Sequence, residues 1–104
     1  MILHYKNRRL EKILTNERLI KKNYTAISQK LLTRISELRA ANSLEEISNL
    51  PPPRRHKLSQ NFSGHWGVDI SKNYRIIFIP SNNFIEEDLS SIIEIKIVDI
   101  EDYH

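Results

Sequence analysis

The sequence contains no cysteine and only two glycines among its 104 residues. The lack of cysteine excludes disulfide bonds, zinc–thiolate sites and a thiol nucleophile. Gly64 and Gly67 alone cannot build the glycine-rich loops that bind nucleotide phosphates, and neither a GxxxxGKS/T nor a GxGxxG motif is present. The chain therefore lies outside the disulfide-stabilised, thiol-dependent and nucleotide-loop classes of protein.

Long apolar segments are also missing from the sequence. No run approaches the roughly 18–20 residues that a membrane-spanning helix requires. The first ten residues, MILHYKNRRL, are charged too early to form a secretory signal. Because 104 residues suit one hydrophobic core, we expect residues 1–104 to form a single domain. Without a membrane-spanning run or a secretory signal, we expect this domain to be soluble and cytoplasmic.

Charged residues are divided unevenly along the chain. Residues 1–75 hold 15 of the 16 lysines and arginines and 6 of the 13 acidic residues, a balance of +9. Residues 76–104 hold Lys96 and seven acidic residues, a balance of −6. Basic surfaces bind polyanions by releasing counterions, but basic side chains also occur simply as the solvated face of amphipathic helices.

Apolar spacing predicts helices in the first half of the chain. The segment NRRLEKIL has helical periodicity, and so has the longer segment TAISQKLLTRISELRAA. In the longer segment the apolar residues recur at helical intervals: Ile27, Leu31, Ile35 and Leu38. The segment SLEE predicts a capping box, with Ser43 starting a third helix from about Leu44 to Asn49 that ends before the prolines at 51–53.

After the prolines the period changes from helical to strand-like. HWGVDI, NYRIIFI and SIIEIKIVDI alternate as strands do, and ISKN between the first two is the turn of a hairpin. We expect an α+β fold of two layers, with the N-terminal helices packed on one face of a small, twisted antiparallel sheet. The helices would cover the face that carries Trp66, Tyr74 and Ile93.

The other face of the predicted sheet carries charged residues. Alternation places Asp69 and Arg75 on it. Continued from Lys96 along the last strand, the same alternation brings Asp102 and His104 to this face. The pattern therefore predicts that an arginine and a histidine share one surface, although alternation alone does not make them neighbours.

Arg75 and the closing Asp-Tyr-His suit phosphodiester chemistry that uses neither a metal nor another cofactor. An arginine guanidinium presents a fixed fork of donors to a phosphate and to the charge that develops on it. Histidine acts as an acid or a base at neutral pH because its ordinary pKa is about 6.5. The histidines, at positions 4, 56, 65 and 104, lack the spacing of a metal site.

The segments RHKL, GHWGVDI, NYRIIF and the closing EDYH follow one another in this order from residue 55 onward. Together they resemble the host-inhibition toxins HigB, within the RelE/ParE superfamily. The resemblance implies a toxin of a type II toxin–antitoxin pair, an endoribonuclease that cuts mRNA on the ribosome. Attack by a 2′-OH on the adjacent phosphate would leave a cyclic phosphate and a 5′-hydroxyl.

The resemblance implies catalytic roles for residues of the sheet and of its last strand. Arg75 would stabilise the scissile phosphate. His104 would take part in proton transfer. Asp102 and Tyr103 would orient that histidine or position the 2′-OH of the substrate.

RNA binding would fall to basic residues near the sheet, which are Arg54, Arg55, His56, Lys57 and Lys72. The chain departs from the family at two positions. Ser59 stands where many relatives have a catalytic lysine, since LSQN replaces Leu-Lys-Gly-Asp. Ser71 stands where relatives have a second basic residue. These departures bear on the rate of cleavage and on codon preference.

The resemblance also implies partners. The expected partners are a HigA-like antitoxin with a helix-turn-helix unit, the ribosome and mRNA. Operator DNA would be bound only through the antitoxin, and no membrane partner is expected. Two other functions stay open. ParE relatives use the same fold to inhibit DNA gyrase through protein contacts, and a small basic protein can bind RNA for regulation without cutting it.

Overall fold

The computed structural model describes residues 1–103 of the chain. Within them it contains three α-helices on one side of a five-stranded sheet. The helices are α1 (Arg8–Leu14), α2 (Glu17–Asn23) and α3 (Ser28–Ala40), and the strands are β1 (Ile2–Tyr5), β2 (His56–Lys57), β3 (Trp66–Asp69), β4 (Tyr74–Pro80) and β5 (Glu94–Asp102). None of the helices in this part of the chain is long and apolar enough to cross a membrane.

The strands lie in the order β1–β5–β4–β3–β2. Neighbouring strands from β5 to β2 are antiparallel, whereas β1 runs parallel to β5 at the edge. The predicted α+β class is confirmed, and the sheet is mixed rather than antiparallel throughout. Parallel pairing is possible here because the helices and the other strands separate β1 from β5, which gives the long connection that parallel strands need.

Asparagine side chains begin the first two helices. The amide of Leu10 donates to Asn7 Oδ1 at 2.8 Å, and the amide of Leu19 donates to Asn16 Oδ1 at 3.2 Å. Each bond satisfies an amide that the first helical turn leaves without a backbone partner. The segment NRRLEKIL is therefore helical as predicted, while α2 is a helix that the apolar pattern did not identify.

The predicted third helix after Ser43 is only a single 3₁₀ turn, Leu44–Glu46. The expected capping box is wrong, because Glu46 bonds to Asn42 instead of reaching the Ser43 amide. The backbone amide and the side chain of Asn42 donate to the Glu46 carboxylate at 2.9 and 3.1 Å. The hydrogen bond from the backbone amide is the main reason that the pKa of Glu46 is lowered. The chain then leaves the helical conformation at Ile47, well before the prolines.

The hydrophobic core lies between the helices and one face of the sheet. Paired residues of neighbouring strands share a face, so the pairs Trp66–Phe78 and Val68–Ile76 both point to the core. The predicted stripe of the longest helical segment enters the same core: Ile27, Leu31, Ile35 and Leu38. Trp66 is buried as predicted, but Ile93 lies just before β5 and is 48% exposed.

A β-bulge interrupts the alternation of β5. Ile77 of β4 pairs with Asp99, yet its neighbour Phe78 pairs with Ile97. Val98 is thus an extra residue on β5, with no partner position of its own on β4. Residues that follow the bulge face the side opposite to the one that simple alternation predicts.

The bulge corrects the predicted faces at the end of the chain. Tyr74 pairs with Asp102, and Arg75 pairs with Glu101. Asp102 therefore lies on the Tyr74 side of the sheet, where the helices pack, and not on the Arg75 side. Glu101 takes the place beside Arg75. His104, which the same alternation assigned to the Arg75 side, lies outside the described residues.

Candidate active site on the sheet

The face of the sheet opposite the helices is covered at its centre. Gly67 and Ile77 pair with each other on this face, and Ile77 is fully buried. A Cβ atom at Gly67 would lie 3.2 Å from Leu58 Cδ2 and 3.4 Å from His56 Cε1, so the glycine lets the segment around β2 approach the sheet closely. The expectation of an open face therefore holds only toward Arg75.

Arg75 and this covering segment form the walls of a cleft of about 430 Å³. Its lining is mainly polar and comprises His56, Lys57, Leu58, Ser59, Gln60, Asn61, Phe62 and Arg75. The volume is within the range of small-ligand sites in proteins. The cleft brings together three residues predicted from sequence, the adjacent His56 and Lys57 of β2 and Arg75 of β4.

Arg75 is held in place from two directions. Its Nε donates to Glu101 Oε1 at 2.7 Å, and its Nη2 lies 2.6 Å from the same oxygen. The ring of Tyr103 lies against the guanidinium, with the Arg75 Cζ 4.6 Å from the ring centroid, a cation–π contact. The Arg75 and Glu101 side chains are only 18% and 21% exposed. The guanidinium therefore has a fixed position at the wall of the cleft.

Tyr103 is itself tied to strand β3, on the far side of β4. Its hydroxyl donates to Asp69 Oδ1 at 3.1 Å. Asp69 also accepts from Arg54, with Nε 2.6 Å from Oδ2 and Nη2 3.1 Å from Oδ1. This hydrogen-bonded carboxylate raises the pKa of Arg54. A continuous network thus runs from Arg54 through Asp69 and Tyr103 to Arg75 and Glu101.

Asp102 lies on the face of the sheet opposite to Arg75. The Tyr74 hydroxyl hydrogen-bonds to its carboxylate, and this bond is the main reason that the pKa of the Tyr74 phenol is raised. The pair lies on the helix side of the sheet. Of the catalytic residues predicted from sequence, the structure brings Arg75 and Tyr103 together and leaves Asp102 on the other face.

His56 enters the cleft with one tautomer favoured. Its Nδ1 lies 2.7 Å from the backbone oxygen of Arg54. A carbonyl oxygen can only accept, so the neutral ring carries its proton on Nδ1 and leaves Nε2 as an acceptor. Among residues 1–103, no group of three or more His, Asp or Glu side chains is arranged to hold a metal ion.

The other predicted RNA-binding residues lie around the edge of the sheet. Arg55 and Lys57 both lie over the ring of Trp66, at 5.6 and 5.5 Å from its centroid. The ammonium of Lys57 is also 3.4 Å from Glu86 Oε1, and both side chains are well exposed. Lys72 is exposed in the hairpin turn and does not line the cleft.

Residues 3–90 match the family described as RelE-like toxins of the type II toxin–antitoxin system HigB. The chain belongs to this family. The match ends before β5, so it includes Arg75 but neither Glu101 nor Tyr103. No curated protein is similar enough in sequence to count as a match.

Solved structures with the same fold as this HigB-like toxin include the YoeB/ParE toxin from Agrobacterium tumefaciens. The two share 10% identity and a TM-score of 0.61, with both chains covered in full. A chain of the YoeB-YefM complex from Staphylococcus aureus has 17% identity and a TM-score of 0.57, covering 100% of this chain and 97% of that one. At these identities the likeness concerns the fold alone.

Sequence reasoning missed two features of the toxin's cleft. Glu101 was not recognised as the partner of Arg75, because the bulge at Val98 was not anticipated. A signal was present, since the aliphatic positions of β5 change from odd numbers, Ile95 and Ile97, to even ones. The contacts of Asp69 were also missed, although alternation placed it on the correct face.

Proposed function

We propose that this toxin is a ribosome-dependent endoribonuclease that binds the scissile phosphate of mRNA in the cleft beside Arg75. The observation that carries the proposal is the guanidinium of Arg75, fixed by Glu101 and Tyr103 at the wall of a polar cleft. A preorganised cation stabilises the charge that develops on a phosphate without having to reorganise during the reaction. A substrate on the ribosome means that the toxin acts in the cytoplasm.

The reaction we propose is an attack of the 2′-OH on the adjacent phosphorus. The bond to the 5′ oxygen breaks, which leaves a 2′,3′-cyclic phosphate and a 5′-hydroxyl. One group must accept the proton of the 2′-OH, and another must donate a proton to the departing oxygen. Arg75 would stabilise the negative charge on the phosphate oxygens between these two proton transfers.

His56 and His104 supply these proton transfers in the proposed reaction. His56 lines the cleft and keeps Nε2 as an acceptor, so it suits the base. His104 follows Tyr103 directly, and the family resemblance implies a part in proton transfer at this position, so we assign it the role of the acid. Tyr103 would position its neighbour through its bond to Asp69 rather than act on the substrate itself.

The cleft also accounts for binding of the RNA strand near the reacting phosphate. Lys57 is among the residues that line it, with its ammonium over Trp66 and beside Glu86, while Ser59 provides only a hydroxyl where many relatives have a lysine. Arg54, Arg55 and Lys72 are not part of its lining and would contact phosphates further along the strand. Because position 59 lacks the lysine that many relatives have, Arg75 carries a larger share of the phosphate binding in this toxin.

We further propose a HigA-like antitoxin as the partner that silences the toxin. The family is that of type II toxin–antitoxin toxins, and a fold relative is part of a YoeB-YefM complex. The antitoxin would carry the helix-turn-helix unit, so operator DNA would be bound only through it. Helices α1 and α2 expose a basic surface for ribosomal RNA or for an acidic segment of the antitoxin: Arg8, Arg9, Lys12, Arg18, Lys21 and Lys22.

Controlled expression followed by mapping of mRNA 5′ ends tests the proposed activity. Wild type, Arg75→Ala and His104→Ala are compared, with Arg39→Ala as a control that removes an exposed arginine from α3. We expect clustered cuts in translated regions for wild type and Arg39→Ala, and none for the other two. Growth arrest with DNA gyrase trapped on DNA and no mRNA cuts would favour the gyrase alternative, and RNA binding without cuts would favour a regulatory module.

A further inference from the structure

The arginine that we place at the phosphate is already paired with a carboxylate. Both contacts with Glu101 go to one oxygen, from Nε at 2.7 Å and Nη2 at 2.6 Å. These two nitrogens form one edge of the planar guanidinium, and further N–H donors remain on Nη1. The ion pair therefore occupies one edge of Arg75 and leaves a second nitrogen for a ligand in the cleft that Arg75 lines.

Two contacts restrict the guanidinium, and both come from the end of β5. Glu101 holds its edge, and the ring of Tyr103 covers its face. The two residues lie two positions apart and so share a face of the sheet. They reach this face only because of the bulge at Val98, since uninterrupted alternation would point Glu101 toward the helices.

We propose that Glu101 is a positioning residue for Arg75 in mRNA cleavage. This inference rests on the proposed function. An unrestrained arginine side chain samples many rotamers, and most of them would not meet a phosphate bound in the cleft. By holding the Nε–Nη2 edge, Glu101 keeps the guanidinium in one orientation before the substrate arrives. Its role is geometric, because it orients the guanidinium and does not itself contact the phosphate.

A set of variants separates geometry from charge. Glu101→Ala removes both, Glu101→Asp keeps the charge but withdraws the oxygen by one methylene, and Glu101→Gln keeps an oxygen acceptor without the charge. Asp99→Ala is the matched control, because it removes an exposed carboxylate from the same strand and face as Glu101. The measurement is mRNA cleavage on purified ribosomes, giving the rate at saturating toxin and the toxin concentration for half-maximal rate.

We expect Glu101→Ala to lower the saturated rate by about 10²-fold, as small misplacements of catalytic groups do. Glu101→Asp should also lower the saturated rate, whereas Glu101→Gln and Asp99→Ala should stay near the wild-type rate. The half-maximal concentration should not change. In ¹⁵N NMR, the Arg75 Nε–H should exchange slowly in wild type and Glu101→Gln but rapidly in Glu101→Ala.

Each other outcome has a distinct meaning. Cleavage by wild type with an undiminished rate in Glu101→Ala and Glu101→Asp would overturn the positioning role alone. A faster rate in Glu101→Gln would also overturn it, by making Glu101 a brake on phosphate binding. If wild type cuts no mRNA, the proposed function fails and this inference with it. Should Glu101→Ala not fold, the contrast between Asp and Gln decides the question.

Discussion

The two faces of the sheet use the same strands in different ways. Five residues of the helix side are fully buried aliphatic or aromatic side chains: Val68, Ile76, Phe78, Ile95 and Ile97. The other face carries the network of Asp69, Arg75, Glu101 and Tyr103, which are only partly buried. Apolar burial is non-directional and stabilises in proportion to area, whereas ion pairs add little net stability but fix geometry. One face therefore supports the fold, and the other holds side chains in position for chemistry.

The largest effect should follow from truncating the centre of the helix side. Phe78 is fully buried, so Phe78→Ala should lower the free energy of unfolding by about 3–5 kcal/mol through lost burial and an unfilled cavity. Ile79→Ala, one residue along the same strand on the other face, is the control and should cost much less. Urea unfolding of both variants checks this. Equal losses would show that the two faces contribute alike to stability.

Removing the guanidinium on the other face should leave the fold and abolish most of the activity. Arg75→Ala should reduce mRNA cleavage on purified ribosomes by about 10²–10³-fold, the effect of losing one preorganised charge-stabilising donor. The variant should stay folded but melt at a lower temperature, because the Glu101 carboxylate, only 21% exposed, loses its partner. A folded variant that cuts at the wild-type rate would remove Arg75 from the mechanism.

Replacing Asp69 should have smaller effects on stability and on mRNA cleavage, since Asp69 links Tyr103 to Arg54 without facing the phosphate. Asp69→Ala should lower the free energy of unfolding by about 1 kcal/mol, a modest value because the Arg54 side chain is 41% exposed and solvent screens the pair. A double-mutant cycle with Tyr103→Phe isolates the bond between them. Strict additivity of the two changes would show that this hydrogen bond contributes nothing.

The smallest effect should come from the Tyr74–Asp102 pair on the helix side. The hydrogen bond to Asp102 raises the pKa of Tyr74 in the folded chain above its ordinary value of 10.0. The stabilisation is therefore complete below pH 10 and is lost as the pH rises through the folded pKa. Tyr74→Phe should flatten this alkaline loss without changing cleavage at neutral pH. An unchanged alkaline unfolding profile would place Asp102 elsewhere.

The helix side could be predicted from the sequence because apolar periodicity records burial directly. The stripe of α3 and the burial of Trp66 followed from it. Helix α2 was missed because its only apolar residues, Leu19 and Ile20, are adjacent and define no helical period. The capping box at Ser43 failed for a different reason, since Asn42 offers Glu46 both a backbone and a side-chain donor and competes for the same carboxylate.

The other face could be predicted only in part. Alternation correctly placed Asp69 and Arg75, because both lie in the regular part of the hairpin. Beyond Val98 the prediction assigned Asp102 to the wrong face, since a single extra residue reverses every later side chain. The hydrogen bonds of the network depend on cross-strand distances, and one-dimensional patterns carry no such distances.

The most direct test of the account is a structure of the toxin bound to a ribosome whose mRNA cannot be cut. An mRNA with a 2′-deoxy residue at the cleavage position lacks the attacking hydroxyl, so the complex should persist for cryo-electron microscopy. We predict the scissile phosphate in the cleft on the face opposite the helices, within hydrogen-bonding distance of Arg75 Nη1, with Glu101 still on the Nε edge. A phosphate bound elsewhere, on α1 and α2 or at the Asp102 side of the sheet, would contradict the account.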